Sequence, residues 1–90
     1  MTKKQRSALK IMLSAPNVFA IKYFYKRSIK YRILTEDRSP ILVSDYRTFR
    51  YFIKNEFVIE SFIDGIKVYK LTDKAISYKF KNLKNDEKKL

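Results

Sequence analysis

The first residues of the chain repeat apolar side chains at helical spacing. Leu9, Met12 and Leu13 stand at positions i, i+3 and i+4 within residues 2–14, with lysine, arginine and serine at most positions between them. Pro16 follows, and proline cannot continue a helix because it has no backbone N–H. The pattern therefore predicts a one-sided first helix over residues 2–14.

The apolar pattern of residues 18–28 fits both a helix and a strand. A helix with Asn17 as its N-cap places the apolar residues of this segment together, and we favour that interpretation. A strand is the alternative, because apolar and aromatic residues also alternate with period two here. The alternating set is Phe19, Ile21, Tyr23 and Tyr25.

Two short strands are predicted next, on either side of a polar turn. Apolar side chains at 29, 31 and 33 alternate with Lys30 and Arg32, which is the pattern of a strand with one buried and one solvent-exposed face. A polar cluster covers residues 35–40, and the apolar run at 41–43 follows it.

A second helix is predicted over residues 44–55, with Ser44 as its N-cap. Tyr46, Phe49, Phe52 and Ile53 share one face, which should pack on the core. The opposite face carries three cations and a phenol at i, i+3, i+4 and i+7, and this stripe is a candidate surface for phosphate or base contact. Its members are Arg47, Arg50, Tyr51 and Lys54.

A β-hairpin is predicted over residues 57–71, because two strand-like runs flank Asp64-Gly65. This dipeptide suits a two-residue type I′ turn, whose two central residues both need a positive φ. Thr72 then caps a last helix, with Ala75, Ile76 and Phe80 on one side. We expect one domain over residues 1–80 and a charged, disordered tail over residues 81–90.

Four stretches between residues 44 and 76 stand out: the capped helix start at 44–50, the turn at 55–58, the Asp-Gly turn at 64–65, and the segment Tyr-Lys-Leu-Thr-Asp-Lys-Ala at 69–75. Together they resemble the second half of a winged-helix domain of the bacterial or phage regulator type. The segment at 69–75 is similar to the tyrosine-x-leucine-threonine stretch that follows the wing, with Ala75 in place of its usual glycine. The segment before residue 44 departs from the family. Its pattern predicts strand, turn, strand, where the family has the short second helix of a helix-turn-helix.

The resemblance implies an α+β, winged-helix-like fold, with a small helical core and a C-terminal antiparallel β-hairpin as the wing. It also implies a recognition helix over residues 44–55 in the DNA major groove and a wing over residues 57–71 on the backbone or minor groove. Such proteins act as transcription regulators or DNA-organising proteins, and compact phage and mobile-element proteins have this shape. The candidate DNA-binding residues are Arg47, Thr48, Arg50, Tyr51, Lys54, Lys67, Lys70, Lys3, Lys4 and Arg6.

Charge strengthens the expectation of a nucleic-acid partner. The formal net charge of the 90-residue chain is +12, and residues 1–35 contain no Asp or Glu. Nine basic residues in that stretch give it +9, which leaves +3 for residues 36–90. Such an imbalance concentrates positive potential. It favours a basic surface that binds a polyanion over one that is only solvated.

The absence of histidine and cysteine removes several kinds of chemistry. Disulfides, thiolate nucleophiles, the usual zinc sets and the commonest general base are all missing, so we expect a binding protein without catalytic residues, metal or cofactor. No signal peptide or membrane span is visible, which predicts a soluble, cytoplasmic protein. No small-molecule ligand is predicted.

Double-stranded DNA is the expected partner, and several alternatives stay open. The same basic surface would suit an inhibitor or adaptor that binds a protein or nucleoprotein, and a small RNA-binding protein or ribonuclease toxin would have similar size and charge. The seven Tyr and seven Phe exceed what a core of this size needs, so we expect some of them to form an exposed patch, either a homodimer interface or a partner site. Stacking of single-stranded bases on Tyr23, Tyr25 and Tyr31 is a further alternative to a tyrosine-rich core and strand surface. The cations interleaved with these tyrosines are Lys22, Lys26, Arg27, Lys30 and Arg32.

Overall fold

A five-stranded antiparallel sheet forms the body of the protein, and helices pack on one of its faces. The computed structural model describes residues 1–78. In chain order the elements are α1 (Lys3–Leu13), β1 (Phe19–Tyr25), β2 (Ser28–Leu34), β3 (Pro40–Asp45), α2 (Tyr46–Lys54), β4 (Val58–Ile63) and β5 (Ile66–Leu71), and residues 73–78 are again helical. The strand order is β3-β2-β1-β5-β4. Phe80 and the expected tail at 81–90 lie outside the described residues.

The expected winged-helix-like fold with a small helical core is wrong. The segment at 18–28 is β1 and the start of β2, and β1 pairs with β2 over its whole length and with β5 at two positions. The hairpin at 57–71 is therefore part of the same sheet and does not project as a separate wing. Phe19 and Ala20, adjacent in sequence, are both buried on opposite faces of the sheet, which is what a central strand requires.

Several local predictions are confirmed. The first helix begins after Thr2, which forms a capping box with Gln5, and ends at Leu13. The strands predicted around the turn at 35–40 are β2 and β3. The second helix is shorter than predicted, because Asp45 is its N-cap and Ser44 is the buried penultimate residue of β3.

Both hairpins of the sheet close with two-residue turns of the same geometry. In the β4–β5 hairpin the turn residues are Asp64 (φ 52°) and Gly65 (φ 80°), as the sequence predicts. In the β1–β2 hairpin they are Lys26 (φ 46°) and Arg27 (φ 64°). Positive φ at both positions defines a type I′ turn, and the left-handed region costs a residue with a Cβ roughly 1–2 kcal/mol.

An aromatic cluster holds α2 on the sheet. The ring of Phe49 stacks on Tyr31 of β2 with centroids 4.1 Å apart, and it meets Tyr69 of β5 edge-on at 5.6 Å. Phe49 and Phe52 are both fully buried. Because one helix contacts both hairpins, the cluster joins the two halves of the sheet.

A smaller apolar cluster lies on the opposite face, where Phe19, Leu34 and Val68 are buried with Ile21 and Ile63 against them. The β1–β5 pairing is limited to Phe19↔Lys70 and Ala20↔Tyr69, so the two hairpins diverge beyond this point. The far part of the β1–β2 hairpin consequently has no neighbouring strand on its β1 side. Within residues 1–78, no helix is both long and apolar enough to cross a lipid bilayer.

The C-terminal end of α2 is closed by a Schellman motif. The N–H of Phe57 donates to the carbonyl of Phe52 at 2.9 Å, and the N–H of Glu56 donates to that of Ile53 at 3.2 Å. Glu56 has φ 60°, and it occupies the position where glycine is usually found.

We expect Glu56→Gly to raise the free energy of unfolding by about 0.5–1 kcal/mol, because relief of the left-handed strain exceeds the added flexibility of the unfolded chain. Urea denaturation followed by circular dichroism measures the change. Glu56→Ala is the control, since alanine keeps the Cβ and should give little gain. Equal stabilisation by both variants would contradict the strain explanation.

Candidate nucleic-acid interface

Three elements begin or turn at one end of the molecule, and their cations meet there. Lys30 of β2 is the register partner of Asp45, so α2 starts beside the β1–β2 hairpin at the end where its turn lies. The ammonium group of Lys4 forms an ion pair with the carboxylate of Asp45. The start of α1 therefore adjoins the start of α2.

Asp45 links these elements through its side chain. Its carboxylate accepts a hydrogen bond from the N–H of Thr48 at 2.8 Å, which makes it the N-cap of α2, and another from Lys4. The Lys4 hydrogen bond is the main reason that the pKa of Asp45 falls to about 2, and the Thr48 bonds lower it further against partial burial. Because this carboxylate occupies the N-terminus of α2, a phosphate cannot bind there as the fold stands.

We expect Asp45→Ala to lower the free energy of unfolding by about 1–2 kcal/mol at neutral pH, since both the cap and the ion pair are lost. The folded-state pKa lies below the ordinary 3.8, so this stabilisation is present above pH 3.8 and is lost as the pH falls through about 2. Denaturation at a series of pH values measures it. Asp45→Asn, which can still cap, isolates the ion pair, and a pH-independent difference between wild type and Asp45→Ala would contradict this assignment.

We call this part of the surface the basic end. It comprises the first turn of α1, the outer side of the first part of α2, and residues 22–32 of the β1–β2 hairpin, which we call the arm. Its cations without a carboxylate partner within residues 1–78 are Lys3, Arg6, Lys22, Lys26, Arg27, Lys30, Arg32, Arg47 and Arg50.

The described acidic residues other than Asp45 lie away from the basic end or are already paired. Glu36 and Asp37 belong to the β2–β3 loop, at the opposite end of β2 from the arm's turn, and Glu56 follows the far end of α2. Asp73 comes next to Thr72, which donates a hydrogen bond to the carbonyl of Glu56. Two more are already paired: Asp64 with Arg38 at 2.9 Å, and Glu60 with Lys67 at 2.7 Å. The charge of residues 1–78 is thus separated along the molecule.

The arm is a cationic ribbon with aromatic side chains on both faces. Tyr23 lies under the guanidinium of Arg32, 4.8 Å from its ring centre, and Lys26 lies 5.4 Å from the ring of Tyr25. On the other face Phe24 is 76% exposed, an unusual state for phenylalanine. The arm has five cations and no acid, so nothing within it offsets its positive potential.

The candidate residues of the second helix divide into two groups. Arg47, Arg50 and Lys54 are exposed, and Arg50 lies over the ring of Tyr46 at 5.9 Å. Thr48 is only 5% exposed and faces the core, so its side chain has no surface for a phosphate or a thymine methyl. Tyr51 is half-buried against the ring of Phe57.

The candidate lysines of the second hairpin do not form one surface. Register places Lys67 with Tyr69 on the helix-covered face of β5, whereas Lys70 pairs with Phe19 on the opposite face. Lys67 is also neutralised by Glu60, and hydrogen bonding to that carboxylate raises its pKa. By contrast, Lys3, Lys4 and Arg6 of α1 lie at the basic end, with Lys4 engaged by Asp45.

The arm was not among the candidate DNA-binding residues from the sequence, and its tyrosines entered only as an alternative surface for single-stranded bases. The alternation of Phe19, Ile21, Tyr23 and Tyr25 indicated a strand, and Lys26-Arg27 between this run and Ser28–Leu34 indicated a two-residue connection. Neither turn residue is glycine or asparagine, so the usual hairpin signal was absent.

A cleft of about 840 Å³ opens at the far end, and its ionisable lining groups are Glu36, Arg38 and Lys70. Glu36 accepts a hydrogen bond from Asn17, and Arg38 pairs with Asp64. No three His, Cys, Asp or Glu side chains of the described residues converge as a metal site would require.

Comparison of the chain with protein-family models, curated proteins and solved structures finds no match. The charge and geometry of the basic end are therefore the grounds for a functional proposal.

Proposed function

We propose that the protein binds nucleic acid, with double-stranded DNA as the partner, through phosphate contacts at the basic end. The observation that carries this proposal is that nine cations at one end of the molecule have no carboxylate partner within residues 1–78, while the other described acids lie elsewhere or are already paired. DNA carries one negative charge per about 1.7 Å of helix axis, which matches a dense set of free cations.

Two arginines of α2 are well suited to this role. Arg47 and Arg50 are exposed next to the base of the arm, and a guanidinium can contact a phosphate or a guanine edge through two parallel hydrogen bonds. The arm and the first turn of α1 supply further cations on either side. The protein would act as a DNA-organising or regulatory factor, and its binding would weaken steeply with salt.

Titration of the protein into a fluorescein-labelled 20-base-pair duplex, followed by anisotropy at several salt concentrations, tests this proposal. Each phosphate neutralised contributes about −0.9 to the slope of log K against log salt, so four to six contacts give a slope of about −4 to −5. We expect Arg47→Ala/Arg50→Ala to reduce the slope by about 2 and the affinity at 0.1 M salt by roughly tenfold or more.

Lys70→Ala/Lys74→Ala is the matched control, because it removes two cations away from the basic end. Lys70 lines the cleft at the opposite end, and Lys74 donates a hydrogen bond to the carbonyl of Asn55 beyond the end of α2. It should change duplex affinity much less than the α2 double variant does. Equal losses would show that affinity follows net charge and not the basic end. Absence of duplex binding at low salt would refute the proposal.

A protein partner with an acidic surface is the second candidate. The observation in its favour is apolar: Phe24 and Phe62 are 76% and 67% exposed, and aromatic side chains are enriched at protein interfaces. Pull-down of a protein by wild type but not by Phe24→Ser, together with no binding to the duplex, would favour this candidate.

A further inference from the structure

The turn of the arm is built from residues that its geometry disfavours. Type I′ turns prefer Asn-Gly or Asp-Gly, and the β4–β5 hairpin of this same chain uses Asp64-Gly65 in that geometry. The arm places Lys26 and Arg27 there, both with positive φ. Non-glycine residues in the left-handed region persist only where the surrounding structure holds them there, and they cluster at functional sites.

Nothing in the fold accounts for these two side chains. Both are exposed, and neither forms an ion pair or a hydrogen bond with a described residue. Lys26 only approaches the ring of the adjacent Tyr25. The turn thus gives up folding stability and presents two free cations at the outermost point of the ribbon.

The arm has the dimensions of a groove-binding element. β3 pairs with β2 only as far as Lys30, and β1–β5 pairing ends at Ala20, so the ribbon beyond Tyr23 and Lys30 has no neighbouring strand. Its two strands lie about 5 Å apart, and a two-stranded ribbon fits the roughly 12 Å major groove of B-DNA but not the roughly 6 Å minor groove.

We infer that the arm enters the major groove of duplex DNA, with Lys26 and Arg27 as its deepest residues. This inference rests on the proposed function and goes beyond it, because it names the element that inserts and the groove that receives it. Arg27 is the residue able to bind the O6 and N7 atoms of guanine with two hydrogen bonds. Lys22, Lys30 and Arg32 lie higher on the ribbon, at the level of the flanking phosphates.

The decisive variant converts the arm's turn to the preferred sequence, Lys26→Asn/Arg27→Gly. Relief of the left-handed strain should raise the melting temperature by several degrees. Loss of both inserted cations should lower duplex affinity roughly tenfold or more at 0.1 M salt and reduce the salt slope by about 2. A more stable protein that binds less well is the expected result.

Lys70→Ala/Lys74→Ala removes the same number of charges and is again the control. If the turn variant and this control lose affinity equally, or if the turn variant keeps wild-type affinity, the arm does not insert and the inference fails. Wild-type binding in those experiments would leave the proposed function intact, whereas failure of the wild type to bind any duplex refutes both.

Groove choice has its own test with the wild-type protein. Methyl green, which occupies the major groove, should displace the protein from the duplex, whereas netropsin, which occupies the minor groove, should not. An RNA duplex of the same sequence should bind at least tenfold more weakly, because its major groove is too deep and narrow for the ribbon. Displacement by netropsin alone, or equal binding to both duplexes, would overturn the assignment to the major groove.

Discussion

The stacking of Phe49 between the two halves of the sheet is the contact on which the rest of the structure depends. Backbone pairing joins β1 to β5 at only two positions, so hydrogen bonds alone hold the hairpins together weakly. Phe49 contacts Tyr31 in one hairpin and Tyr69 in the other, and Tyr31 also meets Tyr69 edge-on at 5.8 Å. Aromatic pairs of this kind contribute about 0.5–1.5 kcal/mol each beyond their buried area, and together they fix α2 across the sheet.

This arrangement also determines where the charge lies. With α2 fixed over β2 and β5, its first turn stands beside Lys30, and Asp45 brings the start of α1 to the same place through Lys4. A single acid thereby organises the basic end, because its carboxylate is used by the helix cap and one lysine. The remaining cations are solvated and are balanced only by mobile ions. A polyanion can therefore bind them with release of counterions.

Local patterns in the sequence predicted most of the elements but not how they join. Period-3.6 spacing indicated α1 and α2, and Asp64-Gly65 indicated the β4–β5 hairpin, because these signals depend on neighbours in the chain. Residues 18–28 satisfied helix and strand alike, and the choice is made by pairing with β2 and β5, which the sequence does not display. The arm was missed because this segment was expected to be helical and its turn contains neither glycine nor asparagine. Thr48 was assigned to the surface because Tyr46 was expected on the core-facing side of α2, whereas the sheet covers Thr48, Phe49 and Phe52 and leaves Tyr46 exposed.

The most direct test of the account is a map of the protein–DNA contact by nuclear magnetic resonance. Amide chemical shifts of ¹⁵N-labelled protein would be followed while a 16-base-pair duplex is added. If the arm inserts, the largest changes fall on residues 22–30, with smaller changes at the starts of α1 and α2 and little change around Glu36, Glu56 and Asp64. Changes concentrated on β4, β5 or the far end of α2, with residues 22–30 unaffected, would contradict it.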